Sequence, residues 1–231
     1  MTNRYGEIIR DGTERGCLIL GMKPRAVLLF LALAAFAQAD PIPLFNGKDL
    51  DGWEGDKGKV WRVEDGVIKG GSMEGNPRNE FLTSEKEYGN FRLTFDYKLV
   101  GTEGFVNGGV QIRSHRMEGS HEMIGYQADI GADKTGFLYD ESRRNKMLAE
   151  ADLEQIKKLE KPGEWNHYEV LAEGKRVRLF INGKLTVDYT EEDDSIGQKG
   201  LIGLQIHGDC KAVIAFRNIH IEPIPATTTE P

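Results

Sequence analysis

Nine consecutive residues constrain this chain more than any others. Phe91-Arg-Leu-Thr-Phe-Asp-Tyr-Lys-Leu99 alternates apolar and polar side chains without a break. A period of two fits a strand with one buried face and cannot be satisfied by a helix, whose period is 3.6. The same period recurs in Gly109–Arg113, Ile124–Ile130, Phe137–Tyr139, Asn166–Ala172, Leu201–His207 and Val213–Ile221. Two hairpins are marked by their turns. Glu64-Asp-Gly66 lies between Trp61-Arg-Val63 and Val67-Ile68, and Asn182-Gly183 lies between Val177–Ile181 and Lys184–Val187. Asn-Gly and Asp-Gly supply the positive φ values that tight hairpin turns require. One helix is predicted, Leu148–Leu159, from Leu153, Ile156 and Leu159 at a spacing of three, ending before Pro162-Gly163. Many short strands, one helix and 28 glycines for turns imply an all-β antiparallel sandwich or barrel.

The N-terminus obeys different rules. Met22-Lys-Pro-Arg25 is basic, Ala26–Ala37 is apolar, and Ala37-Gln-Ala39 is a small-x-small cleavage pattern. This order describes a secretory signal peptide over 22–39, too short for a good membrane span. Translation is expected to start at Met22, with 1–21 an upstream misannotated extension. Cleavage after Ala39 would export the protein, secreted or periplasmic. It would leave 192 residues with 25 Lys and Arg against 34 Asp and Glu, a charge of −9, and Cys210 alone. The acidic balance argues against nucleic-acid binding, and one cysteine excludes an internal disulfide. Residues 42–223 read as one domain and 224–231, rich in Pro and Thr, as a tail.

Parity selects the candidate chemistry. Gln111, Arg113 and His115 fall on one face of their strand, Gln127 and Asp129 on one face of theirs, and Gln205 and His207 on one face of a third. The opposite faces are aliphatic. An ordinary solvent face has the same alternation, but it is usually richer in Lys, Glu and Thr. Gln, Arg, Asp and His have directional hydrogen bonding or acid–base use, which suits a shared ligand site. Gly136–Asn145 is a second dense segment, with Tyr139, Asp140, Glu141, Arg143 and Arg144. It reads equally as a solvated salt-bridge cluster or as an anion-gripping loop.

Other signals are weaker. Glu150-x-Asp152-x-Glu154 has the spacing of paired glycosidase carboxylates, but a helix would not hold the three on one face. Glu191-Glu-Asp-Asp194 reads as a solvated loop, with calcium binding a minor alternative. Trp53, Trp61 and Trp165 read first as core aromatics and second as sugar-stacking platforms. No metal-binding His pair is present, and no ligand spacing demands a metal.

Leu44-Phe-Asn-Gly-Lys-Asp-Leu-Asp-Gly-Trp53, Tyr88–Tyr97, Asn107-Gly-Gly-Val-Gln-Ile-Arg113 and Gly125-Tyr-Gln-Ala-Asp-Ile-Gly131 resemble, in order, the 3-keto-disaccharide hydrolase family. Pro162-Gly-Glu-Trp-Asn166 and Gly203-Leu-Gln-Ile-His-Gly208 continue the match, which spans about 42–222. The resemblance implies a concanavalin-A-like jelly-roll sandwich of two antiparallel sheets. It also implies an exported bacterial enzyme that cleaves 3-keto-glycosides by elimination and hydration. Many members have Tyr-Glu-x-Gln where this chain has Tyr126-Gln-Ala-Asp129, so the carboxylate has moved by two positions and kept its parity. Many also have Leu-Gln-Asp-His where this chain has Leu204-Gln-Ile-His207. For that chemistry Asp129 is the expected base, with His207 or Asp140 as competitor. Arg113 with Gln111, or Arg143, is expected to hold the enolate oxygen. Tyr126 and Tyr139 are sugar-contact or acid candidates, and Gln127, Gln205 and His115 are further sugar contacts. A divalent metal polarising the ketone would also fit the Asp and His groups. A non-catalytic, lectin-like carbohydrate-binding module is the rival reading, since the same fold serves both.

Overall fold

A computed structural model describes residues 40–225. The expected signal segment 22–39, the preceding 1–21 and positions 226–231 of the expected tail lie outside the described residues. Fifteen strands and one helix form two antiparallel sheets. In chain order the strands are β1 (Ile42–Pro43), β2 (Trp53–Glu54), β3 (Trp61–Glu64), β4 (Val67–Asn76), β5 (Glu80–Tyr88), β6 (Phe91–Gly104), β7 (Asn107–Arg116) and β8 (Met123–Gly131). Then come β9 (Leu138–Glu141), β10 (Lys146–Ala149), α1 (Leu153–Leu159), β11 (Asn166–Glu173), β12 (Arg176–Ile181), β13 (Lys184–Thr190), β14 (Gly200–Ile206) and β15 (Cys210–Pro223). The first sheet runs β13-β12-β11-β6-β15-β4-β3, with β1 also on β15, and the second runs β10-β9-β8-β7-β14-β5-β2. This is a jelly-roll sandwich: neighbours in space come from distant parts of the chain.

Alternation sets the core. Phe91, Leu93, Phe95 and Tyr97 of β6 point inward from the first sheet and are at most 1 % exposed. Val110, Ile112, Ala128, Ile130 and Leu204 answer them from the second sheet. Each Val, Leu, Ile or Phe among them contributes on the order of 1.5–3 kcal/mol when fully buried. Both predicted hairpins are two-residue turns. Glu64 pairs with Val67 across Asp65-Gly66, and Ile181 pairs with Lys184 across Asn182-Gly183. Both residues of each turn have positive φ.

The helix is shorter than predicted. Asp152 caps it, accepting hydrogen bonds from the backbone N–H groups of Glu154 and Gln155, and α1 begins at Leu153. Residues 146–149 pair with β9 as an edge strand instead, with a register shift between Met147 and Ala149. β5 carries little alternation, and its pairing with β14 and β2 becomes visible only in the assembled sheet.

Candidate functional site

The site lies on the outer face of the second sheet, where cross-strand register aligns its polar side chains. One row runs Tyr139, Gln127, Gln111, Gly203 and Thr83 across β9, β8, β7, β14 and β5. The adjacent row runs Asp129, Gly109, Gln205 and Phe81. On the other side Glu141 stands opposite Gly125. The glycines make room between the side chains. A Cβ at Gly109 would meet the Gln127 Cγ at 2.9 Å, and one at Gly203 would meet the Met123 Sδ at 2.6 Å.

Hydrogen bonds join the row in one direction. Ser114 Oγ donates to Gln111 Oε1 (2.7 Å), Gln111 Nε2 to Gln127 Oε1 (2.8 Å), and Gln127 Nε2 to Asp129 Oδ1 (2.7 Å). An ionised carboxylate only accepts, so Asp129 orients both amides of the relay. Gln205 lies beside Glu141, whose carboxyl it acts to hold down against burial, yet neither polar atom of its buried amide has a hydrogen bond of normal geometry. Unpaired buried amides cost roughly 1–3 kcal/mol, so they are uncommon outside sites that bind something. The β7–β8 hairpin end folds against the same face. Arg116 donates to Thr83 Oγ1 and to the carbonyls of Glu54 and Phe81, and Asn79 donates to Glu122.

Two carboxyls on this face have perturbed acidity. Burial pushes Asp129 up to about 7; the Gln127 hydrogen bond works against the shift and the Glu141 charge adds to it. Burial also pushes Glu141 up to about 7, with the charge of Glu122 adding to the effect. Tyr139, between their strands' ends, is raised by burial and by both carboxyls. Carboxyls poised near neutrality on one face can act as base and acid in the same turnover. His207, at the parity of Gln205, sits at the rim. Its Nδ1 lies 2.8 Å from the Gly208 carbonyl and its ring packs edge-on against Phe105 at 4.8 Å.

The structure therefore brings Asp129, Gln111, Gln127, Gln205 and Tyr139 together, with His207 beside them. It does not bring in Arg113, His115, Tyr126, Asp140 or Arg143. Parity fails at Arg113 because β7 carries a bulge: its register with β8 shifts between Ile112 and His115, and Arg113 has φ +50°. Ser114 takes the outer position, and His115 is exposed beyond the bulge. Arg113 is 1 % exposed and ties the sheets together at one end of the sandwich. It donates to the carbonyls of Gly89 (2.8 Å) and Gly174 (2.7 Å), to Gln198 Oε1 (2.6 Å) and to Asn90 Oδ1 (3.2 Å). With no carboxylate among these partners, burial lowers its pKa to about 10.

Tyr126, Asp140 and Arg143 belong to a buried network on the opposite face of β8 and β9. Asp140 is fully buried and binds both Arg143 (2.7 Å) and Arg144. Arg144 also binds Glu191 (2.7 Å), which accepts from Tyr126 Oη at 2.7 Å. The Arg143 guanidinium lies 4.6 Å from the Tyr126 ring centroid. Burial opposes ionisation of Glu191, but Arg144 and Tyr126 outweigh it and hold the carboxyl far below its ordinary range. Glu191 is thus a buried anchor, not part of a solvated loop. Trp53 and Trp61 are core, at 1 % and 0 % exposure, whereas Trp165 is half-buried. Glu141 is the site residue that the sequence reading named only as part of the charged segment Gly136–Asn145, with no role of its own. Its signal was parity with Tyr139, two residues earlier in the same strand. Among the described residues no three His, Cys, Asp or Glu side chains gather as a metal site, and no helix is long and apolar enough to cross a membrane.

Solved structures share this fold. A Parabacteroides distasonis protein provisionally described as a glycosyl hydrolase is 27% identical, with a TM-score of 0.60, covering 80% of this chain and 99% of that one. A second structure from that organism, described the same way, is 24% identical, with a TM-score of 0.61 and 80% and 94% covered. The carbohydrate-binding module CBM66 of Bacillus subtilis is 21% identical, with a TM-score of 0.58 and 74% and 95% covered. No curated protein matches the chain. The family model of the 3-keto-alpha-glucoside-1,2-lyase-like domain matches residues 40–222, and the chain belongs to that carbohydrate-related family.

Proposed function

We propose that the protein cleaves 3-keto-glycosides by elimination followed by hydration. The observation that carries this reading is the pair Asp129 and Glu141, two carboxyls on one sheet face, each held at about 7 beside amide side chains. A ketone at C3 makes the C2 proton acidic. Asp129 takes that proton, and the electron pair moves to the C3 oxygen as an enolate. The Gln205 amide, beside Glu141 and without a hydrogen bond of normal geometry, can donate to that oxygen. The enolate re-forms the ketone as the C1–O bond breaks, and protonated Glu141 donates its proton to the departing aglycone. Water then adds across C1 and C2, with hydroxide at C1 and a proton at C2, so the sum is hydrolysis. Gln111 and Gln127 position the base through the relay, and Tyr139 and His207 border the sugar.

General acid–base groups contribute ~10²–10⁴ each, so Asp129→Asn is expected to reduce aglycone release by that factor. Glu141→Gln separates the roles. It is expected to slow a 3-keto alkyl glucoside by ~10² or more and to leave the nitrophenyl counterpart nearly unchanged, because nitrophenolate leaves without an acid. Equal losses on both substrates would remove Glu141 from the acid's role. Wild-type protein that binds a 3-keto-glycoside without releasing its aglycone would replace the enzyme with a lectin-like module.

A further inference from the structure

The opposite outer face, on the first sheet, carries a second groove that the chemistry above does not use. Register again defines it. Lys98 of β6 pairs with Ala215 of β15, Ala215 with Lys69 of β4, and Lys69 with Arg62 of β3. Trp165 lies at the β6 end of this row, with the Arg217 guanidinium 4.1 Å from its ring. The cleft has a volume of about 530 Å³, with Ala215 as a small floor residue and Val67, Val100 and Val213 as apolar strips. From Lys98 to Arg62 the row crosses three strand spacings, about 14 Å, which is the length of an oligosaccharide and not of a single sugar.

Charge defines the occupant. Arg62, Lys69, Lys98 and Arg217 gather here in a chain of net charge −7. Glu64 binds Arg62 (2.6 Å) and Lys69 (2.8 Å), and Asp96 lies 3.3 Å from Arg217. Asp65 also lines the cleft, within 3.7 Å of Lys69. Lys98 has no ion-pair partner among the described residues. A half-buried tryptophan, apolar strips and an uncompensated lysine in one groove match a ligand with apolar ring faces and anionic substituents. We infer that this face binds an anionic oligosaccharide, through uronate carboxylates or sulfate esters, as a second carbohydrate site. The inference does not depend on the reaction proposed above.

Calorimetric titration tests it with three probes: tetragalacturonate, a chondroitin sulfate tetrasaccharide and neutral cellotetraose. At least one anionic probe is expected to bind about tenfold or more tighter than cellotetraose, and whichever binds identifies the anion. Its Kd is expected to rise with ionic strength, because exposed charges are screened beyond about 10 Å at 0.1 M salt. Lys98→Glu and, separately, Trp165→Ala are each expected to weaken binding about tenfold or more, with the melting temperature of Lys98→Glu unchanged. Equal affinity for cellotetraose, indifference to Lys98→Glu, or no binding of either anionic probe at millimolar concentration would overturn the inference.

Discussion

Replacing Asp129 by Asn is expected to make the protein more stable and less active. The carboxyl sits at about 7 in the folded chain against 3.8 as its ordinary value. A folded-state pKa above the unfolded one means that the unfolded chain gives up its proton first. Folding therefore carries no penalty from this group below pH 4 and a growing one as pH rises towards 7. At 1.36 kcal/mol for each pH unit between the two values, the penalty levels off at roughly 4 kcal/mol above pH 7. Asparagine carries no charge and still offers Oδ1 to the Gln127 amide, so it removes the penalty and keeps the hydrogen bond. Urea unfolding of both proteins from pH 4 to 8 measures the difference. The expected gain is less than about 1 kcal/mol at pH 4, about 2 kcal/mol at pH 5 and about 4 kcal/mol at pH 8. An asparagine variant with the same stability as wild type at pH 8, or less, would refute the claim that Asp129 is a desolvated carboxylate. A stabilised variant that loses turnover is the pattern expected of a group retained for function.

Further predictions separate scaffold from site. Arg113→Met leaves the Gly89 and Gly174 carbonyls without their donor. It should cost about 2–4 kcal/mol in chemical denaturation, while turnover by the folded fraction stays within about tenfold of wild type. Glu191→Gln breaks the link from Arg144 to Tyr126 and should cost about 2 kcal/mol or more at pH 7. Its pH dependence has the opposite sign to that of Asp129. A carboxyl depressed in the folded state stabilises above its ordinary value of 4.5 and loses that contribution as pH falls below it. Wild type should therefore destabilise steeply under acid, and Glu191→Gln should do so less. For the signal segment, N-terminal sequencing of exported protein should begin at Asp40, and an earlier start would remove the cleavage expected after Ala39.

Much of the fold was legible because strand alternation is a local property. The run Phe91–Leu99 names its own buried face, and Asn182-Gly183 names its own turn, since both depend on a few adjacent residues. The helix was legible in existence but not in extent: residues 146–149 were claimed by pairing with β9, which no local window contains. Half of the site was legible for the same reason. Gln127 and Asp129 share a face in any regular strand, and so do Gln205 and His207. Parity misled at Arg113, where one extra residue in β7 reverses the facing of everything after it. Such a bulge is set by hydrogen bonds to β8 and β14, not by the sequence of β7.

The charged segment Gly136–Asn145 shows the same division. Two arginines and two acids in loop-like sequence have no local preference between solvent and interior. Asp140 is interior because Arg144 finds Glu191, 47 residues later, and Tyr126 closes the network from β8. Its neighbour Glu141 then faces the other way and joins Asp129. The sequence alone determined an acidic all-β sandwich, its hairpins, and which side chains alternate together. Only the tertiary structure decided which polar residues became scaffold and which became site. Burial raises or lowers a carboxyl according to the partners that distant strands bring to it, and those partners are absent from the local chain.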